Sequence, residues 1–435
     1  MNAPMNAMDA MNATNTPHEA GGAGLAPAPG GRSLRWQRVA ASLISLISLA
    51  SLASLTSLTS LISLAGCMRL PTERADPASA FPREPLGEDR LSLRWKRTLI
   101  DRREDVAPQE FATPVMWSDT VYSGSSSGDL VALRASTGEL RWRKKVGAVN
   151  SKPAIDGGLM YLGTEDGTLL CLDAQTGEEK WRYQSRGPIA QVPLVSGSLV
   201  VVANEADQVV ALDALTGAFK WQYKADSPEE NTLRGHAGVA GDSELFFTGF
   251  ANGSIVALRR DTGSVAWLQS LKAESSAFFD VDATPVLLDE TLYVTSSSGG
   301  VYALDKTSGL VRWRTRLWDS SLPNSTGNVG GLTSDGTLLY VAVADLGIHA
   351  MDLRGNIVWR VGANKGGEPA TPVVSGDLLL YALAKDGLYL ARRRSGDVVE
   401  YWDPGDGVSA SPAVTADGRM FVVSNRGILY AFDLD

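Results

Sequence analysis

Cysteine and histidine are nearly missing from this chain. Its 435 residues contain two Cys and three His, and only His236 and His349 lie beyond residue 66. A disulfide-braced secreted scaffold is therefore excluded. So is a zinc centre, which needs several Cys or His ligands at close spacing. Positive charge is also short: 40 Lys and Arg face 49 Asp and Glu, a net charge of −9. A nucleic-acid partner would want a basic face, so the balance argues against one. There is no glycine-rich phosphate loop and no defensible Ser/His/Asp spacing. After residue 66 no stretch carries helical periodicity.

What the chain has instead is tryptophan at regular intervals. Trp95, Trp142, Trp181, Trp221, Trp267, Trp313, Trp359 and Trp402 follow one another at spacings of 39 to 47 residues. Six of them close the phrase Gly-x-x-x-Trp, at 138–142, 177–181, 217–221, 263–267, 309–313 and 355–359. A period of this size makes each copy one supersecondary unit whose neighbours complete its core. In the second copy, Leu-Met-Tyr-Leu-Gly-Thr at 159–164 is followed by Glu-Asp-Gly, then Thr-Leu-Leu-Cys-Leu-Asp at 168–173, then Thr176-Gly177 and Trp181. Short apolar runs between Gly and Asp turns read as antiparallel strands in tight hairpins. Lys152-Pro153 opens a further, inner strand, where Pro is tolerated. Equivalent openings at Thr113-Pro114, Val192-Pro193, Ala237-Gly238, Thr284-Pro285, Gly330-Gly331, Thr371-Pro372 and Ser411-Pro412 bring the count to eight copies. The expected fold is all-β, an eight-bladed β-propeller of four-stranded antiparallel blades.

The last copy stops at Asp435 with no turn glycine and no Trp, while the first phrase, 91–95, has no inner strands before it. The fragments are complementary, so the N-terminal strand is expected to complete the last blade and close the ring, protecting its edges. The repeated Trp is expected between adjacent blades, its N–H on a carbonyl. The other reading makes the eight indoles a ligand-binding ring. The seventh copy departs, with Trp402 six residues after Gly396, and its Arg392-Arg393-Arg394 run reads as a solvated turn.

The N-terminus carries an address. Arg32, Arg35 and Arg38 precede an uncharged run from 39 to 65, which ends in Leu64-Ala65-Gly66-Cys67. A basic region, an apolar region and small residues before a cysteine resemble a bacterial lipoprotein signal. Cleavage before Cys67 and acylation of that residue, including palmitate, are implied. The competing reading is an uncleaved transmembrane helix. Met68, rather than Asp, implies sorting to the outer membrane, with the acyl chains as anchor and the body of the protein in the periplasm. Residues 1–31 read as a low-complexity extension, with Met5, Met8 and Met11 as alternative starts. Residues 32–66 are the signal peptide and 67–88, with four prolines, a semi-extended tether of at most roughly 70 Å reach. The propeller takes 89–435. Cleavage removes three Arg and two acids, leaving 37 basic and 47 acidic side chains, net −10. Cys171 occupies the place held by Ala132, Ala211, Ala257, Ala303, Ala350 and Ala431, so it reads as a small core residue. His349 reads as a strand-face residue by the same comparison with Val131, Leu170 and Tyr302.

Function is expected where the repeat breaks. From each Trp to the next strand opening the gap is 10 to 13 residues after Trp142, Trp181, Trp359 and Trp402, but about 17 or 18 after Trp221, Trp267 and Trp313. Such connectors emerge on one face of a propeller, so three long ones in a row build an arc over blades 4 to 6. Loops mounted on a rigid scaffold are where recognition resides. They carry Leu233-Arg234-Gly235, then Phe278-Phe279-Asp280-Val281-Asp282-Ala283-Thr284-Pro285, then Leu317-Trp318. Apolar anchors beside fixed charges suit an interface. An internal Arg234–Asp280 or Arg234–Asp282 pair bracing the loops is the other reading.

The repeat phrase resembles quinoprotein propellers rather than the WD40 type. A PQQ-dependent dehydrogenase-like quinoprotein is therefore the alternative function. Its calcium ligands and vicinal cysteine pair are not recognisable here, and no cofactor is expected. Lipobox, eight such blades and the Asp-Val-Asp-x-Thr-Pro phrase at 280–285 together resemble the BamB family of the outer-membrane β-barrel assembly machinery, over residues 67–435. Leu-Arg-Gly at 233–235 is the second matching element. The resemblance implies a non-catalytic scaffold lipoprotein. It also implies that Leu233, Arg234, Asp280 and Asp282 contact the periplasmic POTRA domains of BamA, assisting folding and insertion of outer-membrane proteins; whether the propeller also touches their unfolded chains is left open by the sequence. The family has a second leucine where this chain has Asn231, so Phe278, Phe279 or Trp318 is expected to supply the apolar anchor.

Overall fold

The computed structural model describes residues 72–75, 84–102, 105, 108–226, 237–272, 280–297, 300–317, 329–344, 346–362, 367 and 369–435. All of them belong to one compact unit, Arg69–Asp435. Eight antiparallel sheets of four strands, each running from an inner to an outer strand, form the blades. The first is Val115–Trp117, Thr120–Ser123, Asp129–Arg134 and Leu140–Lys145. Its two middle strands are almost wholly buried, while the outer strand alternates between cover and solvent. Buried clusters straddle neighbouring blades: Val201, Val209 and Trp221 of one pack with Phe246, Val256 and Leu258 of the next. The hydrophobic core is thus eight wedges between sheets, which is why no copy could fold alone.

The last blade closes the ring as its two fragments suggested. Leu91–Thr98 pairs antiparallel with Ile428–Leu434, Trp95 opposite Ala431, and completes a sheet with Ala413–Val414 and Arg419–Val423. A further strand, Thr72–Ala75, runs parallel to Val311–Arg316 at the outer edge of blade 5. Part of the stretch expected as a tether is therefore taken up by the ring.

The Gly-x-x-x-Trp phrase turns out to serve two seams at once. The glycine takes a positive φ, +67° at Gly263, which a residue with Cβ avoids. It also lies flat against the indole of the preceding blade, and a Cβ on Gly263 would collide with the Trp221 ring. Each such indole then donates to a carbonyl of the same turn: Trp95 to Ala135 at 2.9 Å, Trp181 to Ala214 at 3.0 Å, Trp221 to Arg260 at 2.8 Å, Trp359 to Arg393 at 2.9 Å. A tyrosine two strands inward shares several of these acceptors. Tyr122 and Tyr161 donate to Ala174 and Ala214, which also receive Trp142 and Trp181. The indoles therefore bury their edges between blades rather than lining a ligand ring.

Trp402 is not one of this series. Glu400 pairs with Leu390, the place a seam Trp takes in the other blades, and Trp402 falls two residues later. It packs edge-on against Tyr430 and Phe432 instead, at ring distances of 4.8 and 5.2 Å. The arginine run of this blade is engaged rather than simply solvated: Arg392 pairs with Glu88, and Arg393 with Asp335 at 2.8 Å.

Candidate partner-binding face and channel mouth

The connectors that join each outer strand to the next inner strand define one face. Of the residues singled out on the three long connectors, Leu233, Arg234, Phe278, Phe279 and Trp318 lie outside the described residues, as does the lipidation site Cys67. Asp280 and Asp282 are described. Asp280 is buried, 1% exposed, and Asp282 is half-buried. The backbone of Asp280 is fixed by the N–H and hydroxyl of Ser297, both donating to its carbonyl at 2.9 Å.

The residues beside the two aspartates explain why their phrase folds as it does. Val281 is fully buried and packs directly over Gly249, where any Cβ would collide with it. Val149 over Gly124 and Ile189 over Gly163 repeat the same plug three and two seams earlier. Thr284 Oγ1 accepts the Gly238 N–H at 3.1 Å. Half of the phrase at 280–285 is therefore blade-to-blade packing, which holds the two carboxylates at the base of the arc. Sequence reading missed this plug. Its signal is an aliphatic residue four places before a strand-opening Pro, as in Val149, Ile189, Val281 and Val408, whereas Glu stands at that place before Pro114 and Pro372.

Around the axis, the residues at the inner-strand openings meet their neighbours. In chain order these are Thr113, Lys152, Val192, Gly238, Thr284, Gly331, Thr371 and Ser411. The contacts are close: a Cβ on Gly331 would run into Thr371 Oγ1, and Ser411 Oγ donates to the Thr371 carbonyl at 2.8 Å. Seven of the eight, all but Gly238, border a cavity of about 390 Å³ on the connector face. Lys152 is the one charged side chain among its described lining residues. Water reaches that side chain, yet the surrounding protein strips enough solvent to pull its ammonium below the ordinary lysine value.

Two titratable residues flagged by the sequence are plainly structural. Cys171 is fully buried beside Tyr161, and burial pushes its thiol up to about 11, so it stays protonated and unreactive. His349 is 1% exposed in the strand Gly347–Asp352.

The sequence profile described as outer membrane protein assembly factor BamB matches residues 92–183, 147–353 and 280–435. A protein of that description from Pseudomonas aeruginosa is 36% identical over 360 residues, covering 79% of this chain and 89% of the relative. Other curated relatives of the same description match over about half of their length or less. Among solved structures, BamB from Moraxella catarrhalis superposes with a TM-score of 0.64 at 22% identity, covering 79% of this chain and all of that one. Quinohemoprotein alcohol dehydrogenase from Comamonas testosteroni gives the same TM-score, 0.64, at 18% identity, covering 81% of this chain and 78% of that one. These two likenesses show the propeller fold. Calcium is held by carboxylates and other oxygen donors. No Asp or Glu stands among the described residues lining the cavity, so they do not fit a calcium-held quinone. The chain belongs to the BamB family of outer membrane protein assembly factors.

Proposed function

We propose that this protein is a non-catalytic scaffold of the outer-membrane protein assembly complex. Cleaved before Cys67 and acylated there, it hangs from the outer membrane with its propeller in the periplasm. The arc of long connectors over blades 4 to 6 holds the POTRA domains of BamA, and this brings unfolded barrel proteins to the site of insertion. Family membership together with the place of the 280–285 phrase, pinned to blade 4 through Val281 and Thr284 at the base of the arc, is the observation that carries the reading.

Asp280, being buried, acts by shaping the connector, and Asp282 with Arg234 presents charge to the partner. Leu233, Phe278, Phe279 and Trp318 supply the apolar contacts. Truncating one desolvated anchor of such an interface costs about 2 kcal/mol or more, a loss of about thirtyfold in affinity. The test is co-purification of BamA with the full lipoprotein carrying Arg234→Glu or Asp282→Lys, each checked for an unchanged unfolding midpoint. Capture is expected to fall sharply for both. Undiminished capture by both variants would sink the site assignment.

A further inference from the structure

The ring around the axis obeys its repeat at seven places and breaks it at one. Thr113, Thr284, Thr371 and Ser411 present hydroxyls, Val192 a short aliphatic group, Gly238 and Gly331 nothing, and Lys152 an ammonium. A packing role explains the first seven, since each is small enough to let successive blades converge. It does not explain a lysine. We propose that the mouth of this channel is a binding site for a small carboxylate, with Lys152 as its counter-ion and the neighbouring hydroxyls as hydrogen-bond donors.

Three observations carry this. The cavity, about 390 Å³, is at the small end of what ligand sites occupy. Part of its polar rim is unsatisfied among the described residues. The hydroxyls of Ser151 and Ser409, residues 5% and 7% exposed, are buried at its edge without a hydrogen-bond partner among the described residues. Leaving such groups unpaired is costly, so an occupant that bonds them is favoured over an empty mouth. Finally, the charge is uncompensated. In a chain with a net charge of −9, no acidic side chain among the described lining residues pairs with Lys152. The desolvation that weakens its ammonium is what an incoming carboxylate would offset.

The count of charges also sets the class of ligand. One ammonium balances one carboxylate. A phosphate dianion would leave a negative charge without a partner in a space walled by protein, which is strongly unfavourable. The ligand is therefore a small organic acid rather than a phosphate ester. The site lies beside the arc of connectors but shares none of its proposed contact residues, so the inference stands independently of the BamA reading.

The test uses the full mature lipoprotein in detergent and titrates lactate, a monocarboxylate, with inorganic phosphate and glycerol as comparison solutes, read by saturation-transfer NMR. Lys152→Thr places at this position the residue that Thr113 supplies in blade 1, so the ring should close unchanged. Lys224→Thr, on the exposed outer strand Phe219–Lys224, controls for general loss of charge. Lactate is expected to bind saturably. That binding should weaken about tenfold or more in Lys152→Thr and stay unchanged in Lys224→Thr. No saturable binding, or equal binding by Lys152→Thr, overturns the proposal. Phosphate binding as tightly as lactate overturns the carboxylate assignment.

Discussion

Between blades 3 and 4 the indole of Trp221 lies on Gly263 and donates to the Arg260 carbonyl at 2.8 Å. Between blades 7 and 8 a carboxylate stands in that place, and Glu400 accepts the Arg90 N–H at 2.7 Å. The difference follows from where the chain begins and ends. In every other blade the third and fourth strands are joined by a turn, and that turn supplies the glycine and the carbonyl that a Trp requires. In blade 8 these strands are the two ends of the propeller. Arg90 and Asp435 meet there by a backbone bond of 3.0 Å, with no turn between them. An indole on blade 7 would face neither a glycine nor a free turn carbonyl. The segment before the closing strand fills the gap instead, with the N–H groups of Leu86 and Glu88 donating to Val398 and Val399. Seven seams are thus made by an apolar ring on a turn, and the closing seam by a polar latch.

The largest test of this contrast is to remove an indole from each kind of place. Trp221 is 6% exposed, touches Phe246 at a ring distance of 6.1 Å and makes the seam hydrogen bond. Trp221→Ala is expected to cost about 3–5 kcal/mol. Trp402 is partly exposed and, among the described residues, its indole N–H has no hydrogen-bond partner. Trp402→Ala should cost about 1–2 kcal/mol. Urea unfolding of both variants decides it. Equal losses would mean that Trp402 is a seam residue after all and that the latch is incidental.

The same contrast shows what the sequence disclosed. The blade count, the strand order and the closure were legible because the repeat rests on local chemistry: turn glycines, strand-opening prolines and period-two alternation. Even the irregular blade was visible, as a Trp displaced by two residues. Its replacement was not, because nothing local marks Glu400 as standing at a seam position. That emerges only when the strand Gly387–Arg392 pairs with Val398–Trp402 through a bulge. The candidate face was legible in part. Loop lengths pointed to the arc, and the 280–285 phrase to its base. The burial of Asp280 was hidden, since a carboxylate in a connector reads as exposed until the plug at Val281 draws its neighbour inward. Lys152 was passed over as one strand opening among eight, because its meaning lies in the ring that the eight openings form together.

A smaller effect separates the seams by pH. At the seam between blades 6 and 7, Asp335 holds Arg393 at 2.8 Å, and the Arg393 carbonyl is the acceptor for Trp359. Burial acts to raise the Asp335 carboxyl, but the N–H groups of Leu338 and Thr337 and the hydroxyls of Thr337 and Tyr340 outweigh it and bring it down to about 2. A carboxyl depressed from an ordinary 3.8 stabilises the fold above that value, and the contribution is lost as pH falls towards 2. Asp335→Asn should therefore cost about 2 kcal/mol at pH 7. The gap from wild type should narrow from about pH 5 and close near pH 2. Unfolding midpoints across that range measure it, and a constant gap would show that the charge is irrelevant to the seam.

The closing seam should respond with the opposite sign. Burial raises the Glu400 carboxyl, and the N–H groups of Arg90 and Leu91 offset only part of that. A carboxyl whose native value lies above its unfolded one stabilises the fold while protonated, and that contribution fades as pH rises through the native value. At pH 7 the ionised Glu400 therefore works against the latch that its hydrogen bond to Arg90 helps to hold. Glu400→Gln keeps an oxygen for the Arg90 N–H and removes the charge. It is expected to leave the unfolding midpoint at pH 7 unchanged or slightly raised, and to flatten the gain in stability that the wild type shows between neutral pH and about 4.5. A loss of more than about 1 kcal/mol at pH 7 would mean that the charge itself, through Arg90, is what shuts the ring. The seam would then be an electrostatic clasp rather than a set of backbone hydrogen bonds with one half-buried acid at its end.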